Sequence, residues 1–323
     1  MATDSGPPTV VIALGGNAIT AEDQSGTYAE MLVNCQRMAE AVNTLVDDGW
    51  RVVVTHGNGP QVGSLSLQQG AAEPTVPAQP LSSLVAMTQG WLGGLIELAL
   101  RNTGSASMPP VVSVVTHVIV DPRDPGFLTP TKPIGPFYDK ESAQERADEL
   151  GWQMAEDSGR GYRRLVASPH PVSMLESDAI ATLVHEGFLV IAAGGGGVPV
   201  ITSRGLLQGV DAVVDKDRAA AILAAQLKAD ALLLVTGVDS VLLDFGKQTQ
   251  RALNEVGVEE MTRHNDDGQF PAGSMGPKVE AAVEYLGQVD GQAVITSVEM
   301  MVQALGGVRG VGTRIRRTAV RVP

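Results

Sequence analysis

Apolar, β-branched runs recur along this chain, and stretches with helical spacing lie between them. TVVIAL, WRVVVTH, VVSVVTHVIV, FLVIAA, ADALLLVTGV and QAVITS read as strands. The region around Tyr28–Asp47, the region near Leu81–Leu100 and KDRAAAILAAQL read as helices, and a last helix follows QAVITS. A strand that is apolar almost throughout has no face to give to water, so helices must cover both sides of its sheet. Such strands pair mostly in parallel and need crossover connections, which the intervening helices supply. The fold class that follows is α/β, a doubly wound, largely parallel sheet sandwiched by helices. Ligands are then expected at the carboxyl ends of the strands.

The alternation is interrupted once. From about Pro122 to Pro171 the chain is rich in proline, glycine and charge, yet it holds Phe137, Tyr138, Trp152 and Tyr162. A segment this long with aromatic side chains to pack predicts a small ordered flap rather than a plain connection. Residues 9–205, flap included, read as an amino-terminal lobe and residues 206–315 as a carboxyl-terminal lobe. Residues 1–8 and 316–323 read as tails, and RIRRTAVRVP as a solvated basic end. No internal repeat is visible.

Aromatics make up only 4% of the residues, so Ala, Val, Leu and Ile must build the core. The net charge of -13 opposes a nucleic-acid or anionic-membrane binder, whose footprint is basic. Lysines gathered at one site would therefore be a local exception. The single cysteine, Cys35, lies in a helical pattern and reads as a packed thiol in a reducing compartment. MATDSGPP lacks a secretory layout, and Pro, Gln, Ser and Gly interrupt both long uncharged stretches. The expectation is a cytoplasmic protein.

Glycine clusters follow the strands. They are Gly15-Gly16-Asn17, Gly57-Asn58-Gly59, Gly194 to Gly197, and Gly237-Val238-Asp239. Each has a structural reading as a tight turn needing positive φ. Together, at the ends of strands, they suggest loops whose backbone N–H groups approach an anion. None is a dinucleotide fingerprint or a P-loop, since GGNAIT and GSMGPK lack those spacings. GSMGPK places Pro277 and Lys278 in the first turn of a helix, either as an ordinary start with a solvated lysine or as an anion site. In VVDKDRAA, Asp215 or Asp217 caps a helix; Lys216 then points either to water or at a phosphate, held by a neighbouring carboxylate. Lys132 sits between prolines in the flap and taken alone is an ordinary surface lysine. The five histidines are scattered without metal-ligand spacing, which favours structural or solvated roles.

ALGGNAI, THGNGPQVG, PTKPIGPFY, GRGYRRLVASP, GGGGVPV, VDKD, TGVD and GSMGPK occur here in one order. In that order they resemble the carbamate kinases of the amino acid kinase superfamily, from about Val10 to about Thr313. Many relatives carry a lysine before the first glycine pair, where this chain has Ala13; carbamate kinases instead supply one from the flap, here Lys132. The resemblance implies reversible phosphoryl transfer between ATP and carbamate with magnesium, usually run towards ATP, in a homodimer. It implies that Gly15, Gly16, Asn17, Gly57 and Asn58 hold carbamate or the carbamoyl group. Thr236, Val238, Asp239, Ser274, Met275 and Gly276 would lie near the nucleotide. Lys216 and Lys278 would bracket the transferred phosphoryl group, Asp217 would orient them, and Lys132 would come down with the flap. Ser240 stands where several relatives have an aromatic residue, which bears on nucleotide preference, and the FPA before GSM also departs slightly. Two other readings stay open: a kinase of the same fold acting on another small carboxylate, and a non-catalytic nucleotide-binding regulator.

Overall fold

The computed structural model describes residues 6–317, except 22, 23, 74, 158 and 272 and the side chain of Asn17. The chain opens with β1 (Thr9–Leu14), α1 (Tyr28–Asp47), β2 (Arg51–His56), α2 (Gly59–Ala72) and α3 (Leu81–Thr103). Two short strands follow, β3 (Val111–Ser113) and β4 (His117–Val120). The flap holds β5 (Lys132–Tyr138), α4 (Lys140–Leu150), β6 (Gln153–Glu156) and β7 (Tyr162–Val166). Next come β8 (Pro171–Met174), α5 (Ser177–His185), β9 (Leu189–Ile191), β10 (Val198–Ser203) and β11 (Leu206–Gly209). The remainder supplies α6 (Lys216–Gln226), β12 (Ala231–Val235) and a hairpin of β13 (Leu242–Leu243) and β14 (Arg251–Ala252). It ends with β15 (Glu255–Gly257), α7 (Val258–Asp266), α8 (Gly276–Gln288), β16 (Gln292–Thr296), α9 (Met301–Leu305) and β17 (Thr313–Arg316).

The main sheet has the order β15-β17-β16-β12-β1-β2-β9-β3, and every neighbouring pair is parallel except β16 with β17. Its central strand shows why apolar residues fill successive positions. Val11 and Ala13 point into one core with α6 and α8, while Val10, Ile12 and Leu14 point into the other with α1 and α3. The doubly wound expectation holds. Cys35 lies in the second of these cores, where burial pushes its thiol up to about 12.

On that side α1 begins with a reciprocal cap between Thr27 and Glu30 and packs on α3. Asn43 Nδ2 donates to the Leu100 carbonyl at 3.2 Å and to Thr103 Oγ1 at 2.9 Å. By length and composition α3 is apolar enough to cross a bilayer, but Leu92, Leu95, Ile96, Ala99 and Leu100 are buried in the core.

Two sequence expectations need correction. VVSVVTHVIV is two strands in two sheets, because Gln89 interrupts it. Its side-chain amide and carbonyl take both backbone groups of Thr116, at 3.0 and 2.9 Å, and turn the chain out of the main sheet. β3 stays beside β9, whereas β4 enters a second sheet of order β11-β10-β4-β8. The carboxyl end is not wholly a solvated tail. Arg314–Arg316 belong to β17, Ile315 is fully buried, Arg314 donates to the Ala304 carbonyl, and Arg317 Nε donates to the Leu286 carbonyl. Residues 318–323 lie outside the described residues.

The flap is ordered as expected, a three-stranded antiparallel sheet of order β5-β7-β6 with α4 beside it. The Arg164 guanidinium stacks over Trp152 at 4.5 Å and its Nη1 donates to Ser66 Oγ of α2 at 3.1 Å, which ties the flap to that helix. The flap's inner side rests on α2. A β-carbon on Gly63 would fall 2.0 Å from Gly135 N and Cα, and Gly135 itself has a φ of +79°. Only glycines allow this approach. Gly63→Ala should therefore lift the flap from its seat and expose the 140–166 region to limited proteolysis well before wild type. Cleavage at the wild-type rate would show that the seat is not needed.

Candidate active site

The carboxyl ends of β1, β2, β12 and β16 open into one cleft of about 1190 Å³, closed from above by the flap. Every glycine cluster singled out above contributes to its lining, through Gly15, Gly16, Gly57, Gly59, Gly195 and Gly237. Close packing accounts for two of these positions. A β-carbon on Gly57 would stand 3.2 Å from Gly16 N and 3.4 Å from Lys216 Cδ, so this glycine lets two loops and a lysine stem converge. One on Gly195, whose φ is +62°, would collide with the Asn58 side chain at 2.1 Å. The 194–197 run is thus chiefly a packing junction behind the cleft, with only Gly195 reaching it. Asn17 has its backbone in the 3-10 turn Gly16–Ala18, but its side chain lies outside the described residues.

The three lysines meet two aspartates at the start of α6. Asp215 is the cap, and its Oδ1 accepts from the backbone N–H groups of Asp217 at 2.8 Å and Arg218 at 3.3 Å. Its Oδ2 accepts from Lys132 Nζ, on the first residue of β5, at 2.6 Å. One carboxylate therefore caps a helix and anchors the flap. The two oxygens of Asp217 are divided likewise: Oδ1 takes Lys216 Nζ at 2.5 Å and Oδ2 takes Lys278 Nζ at 3.2 Å. Lys278 stands in the first turn of α8, behind Pro277 and the Met275 cap, and also donates to the Ser274 carbonyl at 3.4 Å. The capping half of the VVDKDRAA reading holds for Asp215. The solvated half does not, since Lys216 is 8% exposed.

Three ammonium groups against two carboxylates leave one positive charge in excess before any anion arrives. Burial alone would raise the Asp215 pKa, but Lys132 above all, then Lys216 and Lys278, holds it well below the usual carboxylate range. Burial lowers the Lys216 pKa, opposed chiefly by Asp217. His56, at the end of β2, donates from Nδ1 to the Gly57 carbonyl at 3.0 Å, and burial holds it down to about 4, so the ring is neutral at pH 7.

Of the residues expected near a nucleotide, Thr236 and Ser274 line the cleft. Val238, Asp239, Met275 and Gly276 lie outside its lining. Asp239 instead braces the neighbouring loop, with its Oδ1 accepting from Ser297 Oγ at 2.6 Å. Sequence reasoning did not single out Asp215 as the partner of Lys132, nor the flap arginines Arg160 and Arg163, which also line the cleft. The signal for Asp215 was its cap position. For the arginines there was only GRGYRR, with no spacing that points to a site.

A parallel α/β sheet whose glycine loops and lysines converge on one cleft defines a phosphate-handling enzyme class. The sequence profile of the amino acid kinase family matches residues 8–297. A carbamate kinase of Pyrococcus furiosus is 47% identical over 305 residues, 93% of this chain and 97% of that protein. The solved carbamate kinase from Giardia lamblia bound to citric acid superposes with a TM-score of 0.90 at 39% identity, covering 97% of this chain and 99% of that one. The same enzyme bound to AMP-PNP gives a TM-score of 0.86 at 39% identity, again over 97% and 99% of the two chains. The chain belongs to the amino acid kinase family and, within it, to the carbamate kinases.

Proposed function

We propose that this protein transfers a phosphoryl group reversibly between ATP and carbamate, working chiefly to make ATP from ADP and carbamoyl phosphate. The observation that carries this reading is the division of three cleft lysines between the carboxylates of Asp215 and Asp217. ADP and carbamoyl phosphate are both polyanions that repel as they meet, and phosphoryl transfer leaves little covalent work for the protein. Positioning and charge neutralisation must do it, and Lys132, Lys216 and Lys278 are suited to surround the migrating group. The attacking oxygen is already charged, so no general base is demanded, consistent with a neutral, buried His56.

In this reading residues 9–205 hold the carbamoyl end, through Gly15, Gly16, Asn17, Gly57 and Asn58, and residues 206–315 hold the nucleotide. Thr236 and Ser274 in the cleft, with Val238, Asp239, Met275 and Gly276 just beyond, mark the nucleotide side. Magnesium enters with the nucleotide as part of the substrate, since Asp215 and Asp217 are already engaged by lysines and Asp157 by Arg163. Met87, Trp91 and Leu98, exposed along α3 beside Tyr28, offer an apolar face that suits a homodimer. The charge of -13 is unsuited to nucleic acid or an anionic membrane, and a lone buried Cys35 suits the cytoplasm.

The test is ATP formation by the purified protein from MgADP and carbamoyl phosphate. A reverse screen of carbamate, acetate and acetylglutamate follows ADP release from ATP. Turnover confined to carbamate is the expected result. Faster turnover with another carboxylate would reassign the acceptor. ATP binding without turnover on any acceptor would favour an idle regulator, although the lysine set is intact.

A further inference from the structure

Arg163 projects from β7 of the flap and is 8% exposed. Its Nε donates to the Gly135 carbonyl at 2.9 Å, its Nη1 donates to Asp157 Oδ2 at 3.1 Å, and its guanidinium carbon stands 5.2 Å from the Phe137 ring centroid. Its Nη2 is buried and, among the described residues, meets no hydrogen-bond partner. A charged donor held out of water without a partner is costly and calls for a reason, and a ligand that completes it is one. Burial lowers its pKa, opposed by Asp157, yet a guanidinium stays protonated throughout the working range.

Its surroundings indicate the ligand. Nη2 lies 3.6 Å from where a β-carbon on Gly59 would stand, and Gly59 is the first residue of the 14-residue helix α2. No side chain caps that helix, because the Asn58 amide is turned away to Thr88 Oγ1 at 2.9 Å. Pro60 has no N–H to offer, so the amides of Gly59 and Gln61 remain as donors at the positive end of the helix. Arg163, Gly59 and Gln61 all line the same cleft as Gly15, Gly16 and Lys132.

We infer that Arg163 Nη2 and the first amides of α2 together bind the acceptor carboxylate oxygen that is not bonded to phosphorus, making Arg163 an acceptor-binding residue carried on the flap. This rests on the phosphoryl-transfer reading above and adds the group that recognises the carbamate end. No bond forms or breaks at Arg163; it donates a hydrogen bond to the oxygen on which negative charge develops as the P–O bond breaks and carbamate leaves carbamoyl phosphate. Because Arg163 and Lys132 sit on the same small sheet, acceptor binding at α2 and the placement of Lys132 are linked.

The test compares wild type with Arg163→Gln and Arg163→Lys in ATP formation from MgADP and carbamoyl phosphate. Arg163→Gln should raise the KM for carbamoyl phosphate about 30-fold, as expected for one charge-assisted hydrogen bond, with the KM for MgADP within about threefold. Arg163→Lys, which keeps the charge but not the fork, should fall between. Added guanidinium chloride at millimolar concentration should restore part of the Arg163→Gln rate, and equal sodium chloride should not. A KM for carbamoyl phosphate unchanged in Arg163→Gln overturns the assignment. So does an equal rise in both KM values without guanidinium rescue, which would mark a purely structural arginine. A wild type that forms no ATP overturns the kinase reading itself, and the assignment with it.

Discussion

Lys216→Met should lower turnover with MgADP and carbamoyl phosphate by about a hundred- to a thousandfold and leave thermal stability close to wild type. A unit charge about 4 Å from another is worth roughly 4 kcal/mol at an effective dielectric near 20. Asp217, water and magnesium offset part of that, and a remainder of about 3–4 kcal/mol corresponds to this loss of rate. Stability is spared for a separate reason. Burial already disfavours the charged Lys216, as the lowered pKa records, so an apolar replacement removes a desolvation cost along with the ion pair. Asp217 is not orphaned, because Lys278 still donates to its other oxygen at 3.2 Å. The lowered pKa also sets a pH dependence. Lys216 loses its proton below the usual lysine value of 10.5 as pH rises, so the wild-type rate should decline on the alkaline side before that point. The check is turnover at saturating substrates for the variant, kcat/KM across pH for the free protein's lysine, and a thermal melt. A variant that turns over like wild type would remove Lys216 from the site.

Much of this was legible in the sequence, for reasons that differ from element to element. β1 and β12 were readable because burial on both faces removes polar residues, and residues 231–235 are apolar at every position. The start of α8 was readable because Pro277 is tolerated in a first turn and almost nowhere else in a helix. The split between β3 and β4 was not readable, because it depends on Gln89, which is remote in sequence and lies inside α3. β17 was misread because Arg314 and Arg316 look solvated until Ala304, from α9, offers a carbonyl and β15 and β16 flank the strand on both sides. At the site, sequence supplied the lysines and Asp217 between Lys216 and Lys278, but not Asp215 as the partner of Lys132. Which carboxylate holds which amine depends on the flap resting on α2 through Gly63 and Gly135, an approach between residues far apart in the chain. Arg163 was invisible for the same reason, since its meaning lies in an unpaired nitrogen facing Gly59.

Asp217→Ala should be worse for stability than the loss of any single lysine, and its damage should shrink as pH rises. The carboxylate is almost wholly buried and holds Lys216 at one oxygen and Lys278 at the other. Without it the buried Lys216 and the part-buried Lys278 ammonium groups face each other. The Ser274 carbonyl stands 3.4 Å from Lys278, and the Asp215 carboxylate, already held by Lys132, is the nearby opposing charge. Breaking one side of a buried pair costs about 3–5 kcal/mol, a large share of the stability of any domain. The protein's remaining response is to shed a proton. Lys216, already lowered by burial, is pushed further down once its main opposing partner is gone. Between that lower folded-state pKa and the usual value of 10.5, the unfolded chain binds the proton and the folded chain does not, so stability rises with pH. Melting curves for Asp217→Ala should therefore lie far below wild type near neutral pH and approach it at alkaline pH. The double variant Asp217→Ala, Lys216→Met should recover most of the stability at neutral pH while remaining inactive, because it removes the repulsion together with the charge the reaction needs. If Asp217→Ala melts like wild type at every pH, the two lysines are not held by this carboxylate and the charge balance drawn for the cleft is wrong.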